Sequence, residues 1–287
     1  MGEMYRLQQN VEQSLAPLQE SFEIRTKYGD DNNFGLYYFY LGNTHRDLDH
    51  FKEADKYYNM AERCLLDVDD SYRLCELYCE MSWRRRLSGE YSEAEVLIEK
   101  SWELAQKHEF GTEYCEYFHI KYEIAMARGD FTTAYAELDK ALNNAKKYSN
   151  IYIILDCLNH CAQRAYAEKS ADSIPDIITE MKRYESLGCG IRVFTGRAIM
   201  VLGDAHYDSG KYDSAYQCWK EGLTTIALYG NSRTNVELFG DILDKRRDKI
   251  RLALTALGDQ SRTSLIDHWG RHGLDQSFPQ LIEVCTL

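Results

Sequence analysis

The sequence predicts an all-α chain, a solenoid of antiparallel helix pairs, and three observations carry that prediction. A short polar turn recurs at Asp49-His50-Phe51, Gly89-Glu90-Tyr91, Gly129-Asp130-Phe131 and Gly210-Lys211-Tyr212, with spacings of 40, 40 and 81 residues. Three residues beyond each turn stands alanine: Ala54, Ala94, Ala134 and Ala215. Apolar residues on both sides of the turns recur at offsets of 3 and 4, which places them on one helical face.

The double spacing requires one more repeat between the third and the last turn, and Lys169-Ser170-Ala171 falls at its place. The repeats then begin near Gly35, Cys75, Cys115, Leu155 and Gly196. Gly35–Leu66 reads GLYYFYLGNTHRDLDHFKEADKYYNMAERCLL and serves as the type specimen. Its first helix carries Tyr38, Leu41 and Gly42, and its second carries Ala54, Tyr58, Ala61 and Leu65. The fifth repeat matches with Ile199, Leu202 and Gly203, then Ala215, Trp219 and Gly222; the third keeps Ala134, Leu138 and Ala141. Small residues let paired helices approach, and the ring beside them fills the next gap. The turn glycines take positive φ at no steric cost. Asp30 to Asn33 and Asp67 to Ser71 offer N-cap oxygens, and Pro175 opens the second helix of the fourth repeat, where its missing N–H costs little.

Residues 1–34 are expected to form a capping half repeat around a helix Gln8 to Tyr28, with Val11, Leu15, Leu18 and Phe22 on one side. Residues 35–235 hold the five repeats. Residues 236–287 are expected to cap the other end with a helix Val236 to Leu257 and a shorter one near Ser264 to His272, the tail from Gly273 being unassigned. A start in mid-repeat fits either a piece of a longer protein or a short protein with a cap helix, since a solenoid needs polar caps in both cases.

Gly42, Ala54, Tyr58, Ala61, Ala94, Ala134, Ala141, Gly203, Tyr212, Ala215 and Trp219 together resemble the tetratricopeptide repeat family over about residues 35 to 235. The usual family period is about 34 residues. The period of 40 is similar to the long-helix subclass found in kinesin light chains, spindle-orientation adaptors and the sensor arrays of MalT-like STAND ATPases. The resemblance implies a right-handed superhelix whose first helices line a concave groove. Some family members hold a partner's C-terminal carboxylate with a basic clamp; here Phe39, Glu80 and His119 stand where lysine or arginine would be expected, which argues against an EEVD-type tail.

On that register the groove residues are Phe39, Asn43 and Arg46; Glu76, Glu80, Trp83 and Arg86; Glu116, His119 and Glu123; Asp156, Asn159, Gln163 and Tyr166; and Arg197, Met200, Asp204 and Tyr207. Amides suit a peptide backbone, rings suit apolar side chains, and carboxylates suit lysine or arginine. The expected partner is therefore a protein or peptide, basic or amphipathic. A homo-oligomer or a larger complex is compatible with such an array.

Composition narrows the classes. Of 287 residues, 44% are hydrophobic, enough for a continuous core. Tyrosines number 22 against 10 phenylalanines, suited to rings that pack while their hydroxyls reach a polar partner. The net charge of −12 repels phosphate, so a nucleic-acid partner is not expected. Apolar runs are too short for a membrane span. MGEMYRLQQN has no secretory pattern, and Arg6 breaks the myristoylation pattern that Gly2 would begin. Nine scattered cysteines fit reduced thiols and a cytoplasmic protein.

Candidate chemistry is sparse. Cys157, His160 and Cys161, and Cys75 with Cys79, have helical spacing that zinc could use, but no CxxC pair completes a set of four. His268 and His272 lack the glutamate of a metalloprotease helix, Trp269 standing in its place. His45 and His206 occupy equivalent repeat positions and read as structural. Neither a P-loop nor a GxSxG or kinase signature occurs. Arg84-Arg85-Arg86 and Lys245-Arg246-Arg247 read as helix-surface ion pairing. The sequence thus predicts a non-catalytic protein- or peptide-binding scaffold, with neither cofactor nor metal. The alternatives are a sensor array of a larger STAND-type system, or a regulator that docks on an enzyme.

Overall fold

The turns expected from sequence share one backbone solution. Asp49, Gly89, Gly129, Lys169 and Gly210 have φ of 59°, 75°, 77°, 60° and 74°. At each, the next residue's N–H reaches back five residues, as from His50 to the His45 carbonyl (2.9 Å), Glu90 to Arg85 (3.0 Å) and Lys211 to His206 (2.9 Å). These are Schellman closures, which satisfy the last carbonyls of the preceding helix. The fourth turn uses Lys169, which bears the small left-handed penalty that glycine avoids at Gly89, Gly129 and Gly210.

The computed structural model describes residues 11–28, 34–111, 113–189, 191–229 and 240–285, and among them it is all helical. The helices are α1 (Val11–Tyr28), α2 (Phe34–Asp47), α3 (Phe51–Asp67), α4 (Ser71–Leu87), α5 (Tyr91–His108), α6 (Glu113–Ala127), α7 (Phe131–Tyr148) and α8 (Ile151–Ala167). After a 3-10 turn at Ala171–Ser173 come α9 (Ile174–Tyr184), a π turn at Glu185–Cys189, α10 (Val193–Asp208) and α11 (Tyr212–Tyr229). The chain closes with α12 (Arg247–Leu257), α13 (Asp259–Arg271), α14 (Leu274–Ser277) and α15 (Gln280–Cys285). No described helix is long and apolar enough to cross a membrane.

A second set of joints, between helix pairs, keeps the same cadence. Asp69, Glu109 and Ser149 have φ of 53°, 58° and 58°. Asp70 then caps α4 by accepting from the Arg73 N–H (3.1 Å), and Asn150 caps α8 by accepting from the Ile153 N–H (3.2 Å). Asp130 does the same for α7 through the Thr133 N–H (3.1 Å), and hydrogen bonds from the Thr133 side chain and then its backbone hold the carboxyl below the usual range. The expected cap at Asp67 to Ser71 is thus Asp70, whereas Asp30 to Asn33 lie outside the described residues.

The chain divides into two compact halves at Ile153/Ile154. In the N-terminal half the tight pairs are α2 with α3, α4 with α5, and α6 with α7. Ala54, Tyr58 and Ala61 are completely buried and meet Phe39, Leu65, Leu74 and Leu77 in one cluster. Ala94, Ile98, Ile120 and Ile124 form the next. In the C-terminal half α10 pairs with α11, and the core runs from Met200, Trp219 and Leu223 through Leu254 and Trp269 to Leu281 and Val284. The tail left unassigned by sequence is therefore core: Leu274, Phe278 and Leu281 are all buried. The expected continuous helix to Leu257 is interrupted by a turn at Lys245 and Arg246 before α12 begins, and its start at 236–239 lies outside the described residues.

Candidate functional site

In the N-terminal half the first helices of successive pairs touch directly, α2 against α4 and α4 against α6. Along this line acids and bases alternate across helices. Arg46 of α2 is buried and pairs with Glu80 of α4, while also holding its neighbour Asp47 at 2.8 Å. Arg86 of α4 pairs with Glu123 of α6 at 2.8 Å. Trp83 lies between the two arginines, 4.5 Å from the Arg46 guanidinium and 5.9 Å from that of Arg86. Arg73 and Glu76 pair within α4 at 2.5 Å. Glu80 and Glu123 are thus each held by a neighbouring arginine. The lining is a charge-compensated ladder around a half-buried indole, not an open row of carboxylates.

The expected groove residues separate by burial. Glu76, Glu80, Trp83, Arg86, Glu116, Glu123, Tyr166, Arg197 and Tyr207 are half-buried, and Gln163 is exposed. Phe39, Asn43, Arg46, His119, Asp156, Asn159, Met200 and Asp204 are buried and present little surface to a ligand. The physical reason is that a first helix is flanked by its own partner and by the next pair, so only a narrow strip meets water. Phe39 and Met200 belong to core clusters. Asn43 accepts a hydrogen bond from the buried Tyr58 hydroxyl at 2.8 Å. Asp204 accepts from Trp219 Nε1 at 3.1 Å and pairs with Arg246 at 2.6 Å. Burial pushes the Asp204 carboxyl above its ordinary range while Arg246 opposes that shift.

In the C-terminal half, Asp208 is a second junction that sequence reasoning missed. It accepts from the Tyr166 hydroxyl at 2.5 Å and from Lys249 at 2.8 Å. Hydrogen bonds from Lys249 and Tyr166 hold its carboxyl below the usual range. Lys249 also lies 5.3 Å from the Tyr207 ring. Tyr166 was expected as a groove residue, but its partner was not, and Lys249 lies in the segment beyond the repeats, where periodicity gives no signal. The run Lys245-Arg246-Arg247 was the available clue, but it read as surface charge. Arg84, read the same way, is buried and held by Asp55 and by Glu90 at 3.0 Å.

Burial sets the ionisation of several thiols and imidazoles. Burial raises the Cys79 thiol well above its ordinary value and pushes Cys218 and Cys285 up to about 11, so all three stay protonated at neutral pH. His160 stands 3.4 Å from Asp156 on the same helix. His45 and His206, equivalent in the repeat, are both half-buried, and burial lowers both imidazoles.

Neither a protein-family description nor a curated protein matches the chain. Solved structures do. BtubC (BKLC) from P. vanneervenii superposes with a TM-score of 0.60 at 14% identity, covering 78% of this chain and 93% of its own. Aspartyl phosphate phosphatase F from Bacillus subtilis superposes with a TM-score of 0.55 at 16% identity, covering 93% of this chain and 74% of its own. At such identity the likeness concerns the fold, and the chain is an all-helical, helical-repeat-like protein of the kind these two structures share.

Proposed function

We propose that this chain is a protein- or peptide-binding scaffold of the tetratricopeptide type, that its contact surface in the N-terminal half is the strip along α2, α4 and α6, and that it catalyses no reaction of its own. The observation that carries this is the Trp83 environment. A half-buried indole flanked by two guanidiniums offers an apolar plate with polar rims, the combination common at binding hot spots. Glu80 and Glu123 hold those arginines in place before any partner arrives, which lowers the ordering cost of binding. The compensated charges favour an amphipathic segment over a purely basic one.

The test is a displayed-peptide selection on the whole chain, followed by titration of the consensus peptide. Trp83→Ala is expected to weaken that peptide by more than about tenfold, the loss typical of a hot-spot aromatic. Val96→Ser, an exposed residue of α5, is expected to leave it unchanged. Peptides that bind both variants as they bind the parent would sink the proposal. The non-catalytic half is checked with a phosphoaspartyl protein, the substrate class named for the Bacillus neighbour. Phosphate release above the spontaneous rate would overturn it.

A further inference from the structure

A cleft of about 480 Å³ opens between α1 and the first helix pair, within the size range of small-ligand sites. Its lining includes Gln19, Phe22 and Glu23 of α1, Tyr37 and His45 of α2, and Tyr57 of α3. It is distinct from the strip described above. Residues 37, 41 and 45 of α2 form one helical stripe, and Phe39, Asn43 and Arg46 fall on the other side of that helix.

The lining is built from ring pairs and a carboxylate. Phe22 and Tyr37 stack at 4.5 Å, and His45 and Tyr57 stack at 5.2 Å. Glu23 is exposed, and its hydrogen bond from Gln19 Nε2 is long, at 3.4 Å. No arginine or lysine among the described residues pairs with it. Burial and the neighbouring His50 lower the His45 imidazole, so it is neutral at neutral pH and does not repel a cation. Burial, with Tyr57, Tyr38 and Glu23 nearby, raises the Tyr37 phenol, so it keeps its proton. At pH 7 the cleft therefore holds aromatic surface and a carboxylate, with no positive charge in its lining. Lys56, next to Tyr57 in sequence, places its ammonium 5.6 Å from the Tyr57 ring, a distance at which a ring attracts a cation.

We propose that this cleft binds a guanidinium group, carried by an arginine side chain or by a free alkylguanidine. The guanidinium is the cation that meets both features at once. It is planar and weakly hydrated, so it stacks on rings, and its fork of donors matches a carboxylate. An ammonium is a compact, strongly hydrated point charge that can approach a ring but has neither a plane to stack on it nor a fork of donors to match a carboxylate. The net charge of −12 favours arrival of either cation, so the local geometry is what discriminates.

The experiment is calorimetric or NMR titration of the full chain with agmatine and with N-acetylarginine amide. N-acetylcitrulline amide, which keeps the shape and loses the charge, and N-acetyllysine amide are the comparisons. Saturable binding of at least one guanidine is expected, with the citrulline and lysine compounds weaker by about tenfold or more. Glu23→Gln, at an exposed position that leaves the fold intact, is expected to weaken the guanidine by about tenfold. Tyr57→Leu gives an independent loss, and Trp83→Ala is expected to change nothing, so failure of this site and failure of the strip read differently. Tighter binding of agmatine would identify a free ligand, and tighter binding of the amide a peptide side chain; both support the site. Absence of saturable binding, equal binding of the citrulline compound, or undiminished binding by Glu23→Gln would overturn it.

Discussion

The α2–α3 pair and the α10–α11 pair solve one packing problem with two different polar groups. In each, a glycine of the first helix lies under a large ring of the second: Gly42 under Tyr58, and Gly203 under Trp219. In each, the residue after the glycine accepts a hydrogen bond from that ring's polar tip, Asn43 from the Tyr58 hydroxyl and Asp204 from the Trp219 indole. Asn43 is neutral and complete at that point. Asp204 brings a charge into the same buried slot and is met by Arg246 from beyond the repeat. The comparison teaches that the repeat dictates a ring and an acceptor, while the charge of the acceptor decides what must pack against the pair. Asp204 makes the C-terminal segment part of the fifth pair's electrostatics, and α2–α3 has no such dependence through Asn43.

The largest expected effect breaks that asymmetry. Arg246→Met leaves a buried carboxylate without its cation and is expected to cost about 3 kcal/mol, because Arg246 keeps some contact with water and the loss falls at the low end for such pairs. Adding Asp204→Asn, which makes the fifth pair resemble the first, is expected to restore most of it. Urea denaturation of the two variants checks both, and a double variant no more stable than the single would show that the charge is not the cause.

The shared part of the device is tested next. A Cβ on Gly42 or Gly203 would lie closer than 3.0 Å to the facing ring, a distance that real side chains do not adopt. Gly42→Ala and Gly203→Ala are each expected to destabilise by about 1–3 kcal/mol through forced repacking. Similar losses in thermal unfolding would support a common geometry, and a neutral result at either position would separate the two pairs.

The smallest effect concerns pH. His45 and His206 occupy the same repeat position, burial lowers both below the ordinary 6.5, and His268 is lowered for the same first reason. The folded state then binds protons less readily than the unfolded chain, so this contribution is present above about 6.5 and is lost as pH falls. Asp204, whose carboxyl is raised, acts in the opposite sense and gains as pH falls through its folded value. The urea midpoint is expected to fall as the solution is acidified from neutrality, and His45→Gln with His206→Gln to flatten that slope. An unchanged slope would mean that neither imidazole titrates with folding.

The cadence of turns, the alanines beneath them and the ring-over-glycine contacts were legible in the sequence because each depends on residues within one helix pair. Local spacing therefore predicts Ala54 and Tyr58 on the inner face of the first pair and Gly203 and Trp219 on that of the fifth, and the structure buries all four. The strip on the first helices was legible only in part. Helical periodicity indicates which residues share a face, but not how wide a face its neighbours leave open, so Phe39 and Met200 read as groove and are core.

What the sequence determined by itself is the all-helical repeat, since turn residues and 3.6-residue periodicity act over a few residues. Tertiary structure alone decided the rest: which acid meets which base along α2, α4 and α6, that Arg246 and Lys249 answer Asp204 and Asp208, and that α1 leaves an aromatic cleft against the first pair. Those outcomes depend on distances between segments that follow no common period, and such distances exist only once the helices have packed.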